Sequence, residues 1–349
     1  MKTTSQIVFA NSKNLDFIPS NSIDLVITSP PYPMIKIWDE MFCRANDCIY
    51  CSLNKSNGET AFELMHKELE PVWDEVYRIL KKGGIACINI GDAVRTLNGD
   101  FKLYSNHTKV LSYLLKLGFS NLPNIVWRKQ TNAPNKFMGS GMYPPSAYVT
   151  LEHEYILILR KGPKREFNSV NEKKMRTESA VFWEERNMFF SDVWMDLKGD
   201  RQKLEDKETR ERSGAYPFEL AYRIINMYSV KGDTVLDPFL GTGTTMRAAI
   251  ASARNCIGVE IDSNFKNVIL KSINDIVLFS NDYIKKRLSK HMQFIKSKEN
   301  TKYINCHYGF PVVTRQEKQL LLNELIKMEI FDDKISVWYN KLNFLHFSD

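Results

Sequence analysis

The chain has 349 residues, a net charge of +7, and 43% hydrophobic against 26% charged residues, a globular balance with room for one large α/β domain and a smaller one. No apolar run reaches spanning length and Met1-Lys2-Thr3-Thr4 opens no signal peptide, so a cytoplasmic protein with no membrane partner is expected. The modest basic excess permits a polyanionic partner without requiring one.

In chain order, Ile7-Val8-Phe9 predicts a short strand, followed by the polar Asn11-Ser12-Lys13-Asn14. Ser22 to Thr28 reads as a buried parallel strand, apolar on both sides. It must stop at Ser29, because Pro30 and Pro31 lack backbone donors and fix φ. The result is a rigid platform at a strand's carboxyl end, where open α/β sheets place ligands. It offers the Ser29 hydroxyl, free carbonyls and the Tyr32 ring, acceptors for an NH2 group and a surface for a flat base. Residues 39–60 look irregular. Phe62 to Leu80 shows helical spacing, and Lys81-Lys82-Gly83-Gly84 reads as that helix's C-terminus. Ile85 to Asp92 is another buried strand, Thr108–Leu117 a helix, and Ile125-Val126-Trp127 and Glu154 to Leu159 are strands.

Of six cysteines, Cys87 and Cys256 sit in apolar strand-like runs and read as core. Cys48 and Cys51 have a metal-ligand spacing, with Cys43 and His66 nearby. Zinc would need a well-placed fourth ligand and usually a second CxxC pair, so free loop thiols and no metal are expected.

Arg160 to Ser213 interleaves Lys and Arg with acids and embeds Phe182-Trp183 and Phe189-Phe190, and so long an internal segment usually carries function. A helix follows Tyr216-Pro217-Phe218. Then Asp233 to Asp237 is a strand running into Pro238-Phe239-Leu240-Gly241-Thr242-Gly243 and a helix from Thr244. This is nucleotide-binding geometry, with glycines permitting close backbone approach and the helix N-terminus supplying donors. It is neither a Walker loop nor GxGxxG. Cys256 to Ile261 supplies a strand whose Glu260 is placed to grip ribose hydroxyls. From Asn274 the tail is basic, and Leu320-Leu321-Leu322 with Leu325 and Ile326 suggests a packed helix.

Thr28-Ser29-Pro30-Pro31-Tyr32 and Asp237 to Gly243 together resemble the catalytic and S-adenosylmethionine motifs of the amino-methylating DNA methyltransferases. The catalytic motif comes first, as in the permuted beta group. Asn89-Ile90-Gly91-Asp92, Trp127-Arg128-Lys129, His153-Glu154-Tyr155, Asp192-Val193-Trp194 and Tyr216-Pro217-Phe218 are similar to further family landmarks, so the resemblance spans roughly residues 5–265. The Ser-Pro-Pro-Tyr form is similar to restriction–modification enzymes that make N4-methylcytosine, whereas adenine-modifying relatives more often carry Asp at the Ser29 position. A neutral acceptor there is shorter and adds no charge beside the reacting amine.

The resemblance implies a doubly wound, seven-stranded, mostly parallel α/β sheet of the S-adenosylmethionine-dependent type, with circularly permuted motif order. Residues 1–160 would form its catalytic half, 161–213 a target-recognition region, 214–273 the cofactor half and 274–349 a basic helical extension. Ser29, Pro30, Pro31 and Tyr32 would be catalytic. Asn11, Thr28, Tyr216, Phe218, Asp237, Pro238, Phe239, Gly241, Thr242, Gly243, Thr244 and Glu260 would surround S-adenosyl-L-methionine, with Asn11 standing where the family commonly has Asp. Double-stranded DNA with a flipped cytosine is the expected substrate, read by Arg160–Ser213 with help from the Gln130–Ala147 loop and the basic tail. A cognate restriction endonuclease would share the site without direct contact, and the enzyme would be a monomer or weak dimer. The alternatives are N6-adenine methylation, methylation of protein glutamine or of RNA, and an inactive DNA-binding regulator. In the expected sheet, the Ile7–Phe9 strand lies at the edge beside the strand ending at Glu260, and the strand ending at Thr28 adjoins that ending at Leu236.

Overall fold

The computed structural model describes residues 1–129, 138–199, 216–298 and 301–343. Its main sheet contains β1 (Lys2–Phe9), β2 (Ile23–Thr28), β3 (Leu80–Ile90), β4 (Phe119–Asn121), β5 (Ile125–Arg128), β6 (His153–Lys161), β7 (Val193–Trp194), β8 (Thr234–Asp237), β9 (Asn255–Glu260), β10 (Asn323–Phe331) and β11 (Lys334–Lys341). The order is β7-β5-β6-β3-β2-β8-β9-β1-β11-β10, with β4 beside β6. The expected seven strands are β5 to β1 of this order, and within them only β6 runs against the rest.

Both faces of these strands are apolar, as β2 illustrates. Leu25 and Ile27 face a layer containing Leu220, Ile224, Met246 and Ile250, while Val26 faces Met65, Val72, Trp73 and Val76. The first layer is α7 (Phe218–Tyr228) and α8 (Thr244–Ala251). The second is α3 (Gly58–Ile79) and α4 (Asn106–Lys116), preceded by α1 (Asp39–Ala45) and α2 (Asp47–Asn54). Residues 39–60 are therefore largely helical rather than irregular: Phe42 and Ile49 are buried by the same layer, which orders the segment.

Lys81 to Gly84 does not cap α3 but already belongs to β3. Gly83 adopts φ +82°, and the register of β2 on β3 shifts between Ile23 and Leu25. A Cβ on Gly83 would lie 2.7 Å from the backbone nitrogen of Arg165, so only glycine fits.

The described part of the inserted segment forms α5 (Val170–Glu178), α6 (Trp183–Phe189) and β7. Arg165 grips Asp233 through Nη1–Oδ2 (2.6 Å) and Nη2–Oδ1 (3.0 Å), at the amino ends of β2 and β8. Phe182 packs with Ile284, Leu288, Phe310, Val312, Leu320, Leu322 and Leu342 in one small core. The insert and the C-terminal extension thus share a core instead of forming separate units.

That extension is not simply helical. After α9 (Phe265–Ile273) and α10 (Ile276–Lys296) it returns as the hairpin β10–β11. β11 pairs antiparallel with β1, Thr3 opposite Val337 and Ser5 opposite Ile335, so β1 is not an edge strand. Leu320 and Leu322 are buried in the approach to β10, and Leu325 and Ile326 lie in a strand. The alternation Ile335, Val337, Tyr339, all buried, is a two-residue period that overrides the leucine run.

Candidate active site

Parallel strands deliver their carboxyl ends to one edge of the sheet. Thr28, Ile90, Arg128, Asp237, Glu260 and Phe9 end there, and the reversed β6 begins there at His153. β2 lies directly beside β8, Val26 opposite Leu236, and Thr28 Oγ1 donates to Asp237 Oδ1 at 2.7 Å. The catalytic and glycine-rich loops therefore meet as expected.

Asp237 is the keystone of this junction. Its Oδ1 also accepts from the Phe239 amide (3.0 Å), and its Oδ2 accepts from Tyr216 Oη (3.3 Å) and Thr245 Oγ1. Burial raises its carboxyl above the usual range, and the hydroxyl and amide donors oppose that shift. With both oxygens saturated, the carboxylate shapes the turn and has no capacity for a ligand. Thr28 and Tyr216 are committed with it. The half-buried Phe218 packs 4.8 Å from Phe279 and 5.2 Å from Tyr283 between ring centroids.

The mouth is left to Pro238, Phe239, Gly241, Thr242, Gly243, Thr244, Asn11 and Glu260. Gly243 (φ +87°) precedes α8 and turns the chain into it. Glu260 accepts the Gly241 amide on Oε2 (2.8 Å) and the Asp262 amide on Oε1 (3.0 Å). The Ile261 amide also acts on the carboxylate, which keeps acceptor capacity for a ribose hydroxyl. Burial pushes its carboxyl up. The exposed Asn11 follows β1, and its Oδ1 accepts the Lys13 amide (3.0 Å), which closes its own turn.

On the catalytic side, prolines 30, 31 and 33 stiffen the loop, and Met34 adopts φ +66° in the core. A buried chain of hydrogen bonds clamps it. Asn106 donates through Nδ2 to the carbonyls of Pro33 and Gly91, 3.0 Å each, and its Oδ1 lies 3.0 Å from His66 Nε2. That nitrogen must carry the proton, because its partner is an acceptor. Burial pushes the His66 pKa down to about 4, so the imidazole is neutral.

Ser29 is half-buried, its Oγ 2.9 Å from Tyr32 Oη. Tyr32 in turn donates to Glu154 Oε2 at 3.0 Å and accepts from Asn89 Nδ2 at 2.9 Å. Asn89 also donates to Glu154 Oε2 (2.6 Å), and Lys129 Nζ bonds Glu154 Oε1 (2.9 Å). Gly91 makes room for the Tyr32 ring, since a Cβ there would lie 3.1 Å from Cε2. The site roles of Asn89, Lys129, Glu154 and Asn106 were missed in sequence, although the first three lie in recognisable motifs.

Cys48 and Cys51 are exposed on α2 and Cys43 is half-buried on α1; among the described residues no cluster of three metal-ligating side chains occurs. No described helix is long and apolar enough to cross a membrane.

Among solved structures, the chain is similar to the DNA modification methylase TTHA0409 of Thermus thermophilus in complex with S-adenosyl-L-methionine, with TM-score 0.61, 29% identity, and coverage of 78% of this chain and 96% of that one. It also shares its fold with the PvuII DNA methyltransferase (cytosine-N4-specific), at TM-score 0.51, 18% identity, and coverage of 78% and 92%. The fold and site define an S-adenosylmethionine-dependent methyltransferase with permuted motif order. Residues 23–271 match the DNA methylase family model for N6 and N4 enzymes, and the chain belongs to that family. The type II methyltransferase M.MthZI of Methanothermobacter thermautotrophicus is 53% identical over 323 residues, covering 92% of this chain and 91% of the relative. M.MjaI of Methanocaldococcus jannaschii is 47% identical over 282 residues, covering 78% and 91%.

Proposed function

We propose that this protein is the modification enzyme of a type II restriction–modification system and methylates the N4 amino group of cytosine in a short duplex sequence. Similarity to two type II methyltransferases over 92% and 78% of this chain supports the system. The observation that carries the choice of base is Ser29: a short, uncharged hydroxyl at the carboxyl edge, held by Tyr32.

The amino nitrogen of cytosine is a poor nucleophile because its lone pair is delocalised into the ring. The Ser29 hydroxyl and the Pro30 carbonyl would accept its two hydrogens and favour a pyramidal nitrogen with an outward lone pair. S-adenosyl-L-methionine supplies an activated methyl on a sulfonium. Glu260 would bind its ribose, the backbone of residues 238–243 its methionine end, and Asn11 would flank the adenine. Catalysis is then positioning and electrostatics, with no covalent adduct. The base would leave the duplex to reach Ser29, with Tyr32 beside it.

Target reading belongs to the carboxyl edge. Residues 163–192 are anchored at the opposite edge through Arg165, which argues against their reaching the flipped base. Arg128, Lys129, the hairpin strands Met138–Gly139 and Ala147–Tyr148, and residues 195–199 lie on the correct side; exposed Met142, Tyr143 and Met195 belong to it. Part of the expected recognition region, residues 130–137 and 200–213, lies outside the described residues.

Mass spectrometry of nucleosides from DNA incubated with enzyme and labelled cofactor tests the proposal. N4-methylcytosine is expected. N6-methyladenine would leave the family and cofactor in place and overturn the base.

A further inference from the structure

Tyr32 was expected to serve as a stacking ring, yet its hydroxyl is the centre of a polar cluster that such a role does not require. That cluster has a direction. The Tyr32 oxygen carries one proton and has Ser29 Oγ at 2.9 Å and Glu154 Oε2 at 3.0 Å; an ionised carboxylate can only accept whereas a serine hydroxyl can also donate, so the proton goes to Glu154, and the Asn89 carbonyl lies farther, at 3.4 Å. With that proton committed and Asn89 Nδ2 donating to it, the Tyr32 oxygen can only accept from Ser29 Oγ. Ser29 therefore donates inward and turns its lone pairs outward, toward the carboxyl edge where the amino group would arrive.

We propose that Ser29, Tyr32 and Glu154 form a proton relay that takes up the proton released when an exocyclic amino group is methylated. The inference rests on the amino-methylating function proposed above and deepens it. An N–C bond forms as the donor's S–C bond breaks, and the nitrogen is left with one proton in excess. That proton passes to Ser29 Oγ, the Ser29 proton to Tyr32 Oη, and the Tyr32 proton to Glu154 Oε2, from which it leaves to solvent. Lys129, on the other carboxylate oxygen at 2.9 Å, and Asn89 hold Glu154 in line. Burial first, then the nearby Glu154 charge, raises the Tyr32 phenol well above its usual range. Tyr32 thus remains a neutral hydroxyl able to receive one proton while passing on another.

The relay and a stacking role separate in one substitution. Tyr32→Phe keeps the ring, so a stacking residue would tolerate it, whereas a relay would not. Glu154→Gln keeps the volume and removes the final acceptor. Each variant is compared with wild type in single-turnover transfer of labelled methyl to unmethylated genomic DNA, alongside calorimetric affinities for cofactor and DNA. The relay predicts a loss of about 100-fold or more in each, the scale of positioned proton transfer, with affinities changed less than two-fold. The double variant should be no slower than the slower single one, because the members act as a unit. The wild-type rate should bend downward with deuterium fraction, the signature of several moving protons. A Tyr32→Phe or Glu154→Gln enzyme at wild-type rate, a linear deuterium dependence, or a rate loss matched by lost affinity would overturn the relay. Methyl recovered on a ring atom would instead overturn the amino-methylating reading itself.

Discussion

At the scale of single residues, two carboxylates of the cofactor half have opposite duties. Asp237 spends its acceptors within the protein, joining β2, β8, α8 and Tyr216, whereas Glu260, held by the Gly241, Ile261 and Asp262 amides, keeps acceptor capacity for a ligand. Glu260→Ala should weaken S-adenosyl-L-methionine binding by roughly 1–3 kcal/mol, the scale of charge-assisted hydrogen bonds. The Gly241 and Asp262 amides lose their acceptor in the same variant, so a lower melting temperature should accompany it. Calorimetric titration returning wild-type affinity would remove Glu260 from the cofactor site.

At the scale of elements, the site depends on how loops are forced to turn. Gly243 adopts φ +87°, and a Cβ there would lie 3.0 Å from Ile269 Cγ2 and 3.2 Å from Ser272 Oγ on α9. Gly243→Ala should therefore cost about 1–3 kcal/mol of stability, combining backbone strain with displacement of α9. A urea midpoint unchanged from wild type would show that the turn tolerates a side chain. The reversed direction of β6 matters equally, because it presents its first residues, and so Glu154, where the parallel strands present their last.

At the scale of the whole molecule, the C-terminal extension completes the sheet. β11 covers β1, Tyr339 Oη donates to the Ile250 carbonyl at 2.8 Å, and half-buried Arg287 pairs with buried Glu185 of the insert. A chain ended after Lys296 would bare the β1 edge and the apolar side chains of Phe182, Ile284 and Leu288. It should aggregate, since unpaired edges and exposed cores are adhesive. Light scattering after size exclusion checks this, and a soluble, cofactor-binding truncation would assign the extension a dispensable role.

Sequence by itself determined the strands of the core, their loops and the order of the two halves, because buried parallel strands, paired prolines and glycine turns are local signals read within a few residues. The placement of Ser29, Tyr32, Asp237 and Glu260 at or just after the carboxyl ends of strands was legible for that reason. Sequence determined neither which side chains turn inward nor which distant elements touch. Asp237 has the same local surroundings in either role, and only the closure of β2 on β8 commits its acceptors to the fold. The Ser29–Tyr32–Glu154 chain spans 125 residues between its first and last members, and the pairs that join β1 to β11 span 328 to 336. Contacts at such separation arise from the energetics of the assembled sheet, which favours partners for buried donors and cover for strand edges, and no local pattern encodes which partner is found.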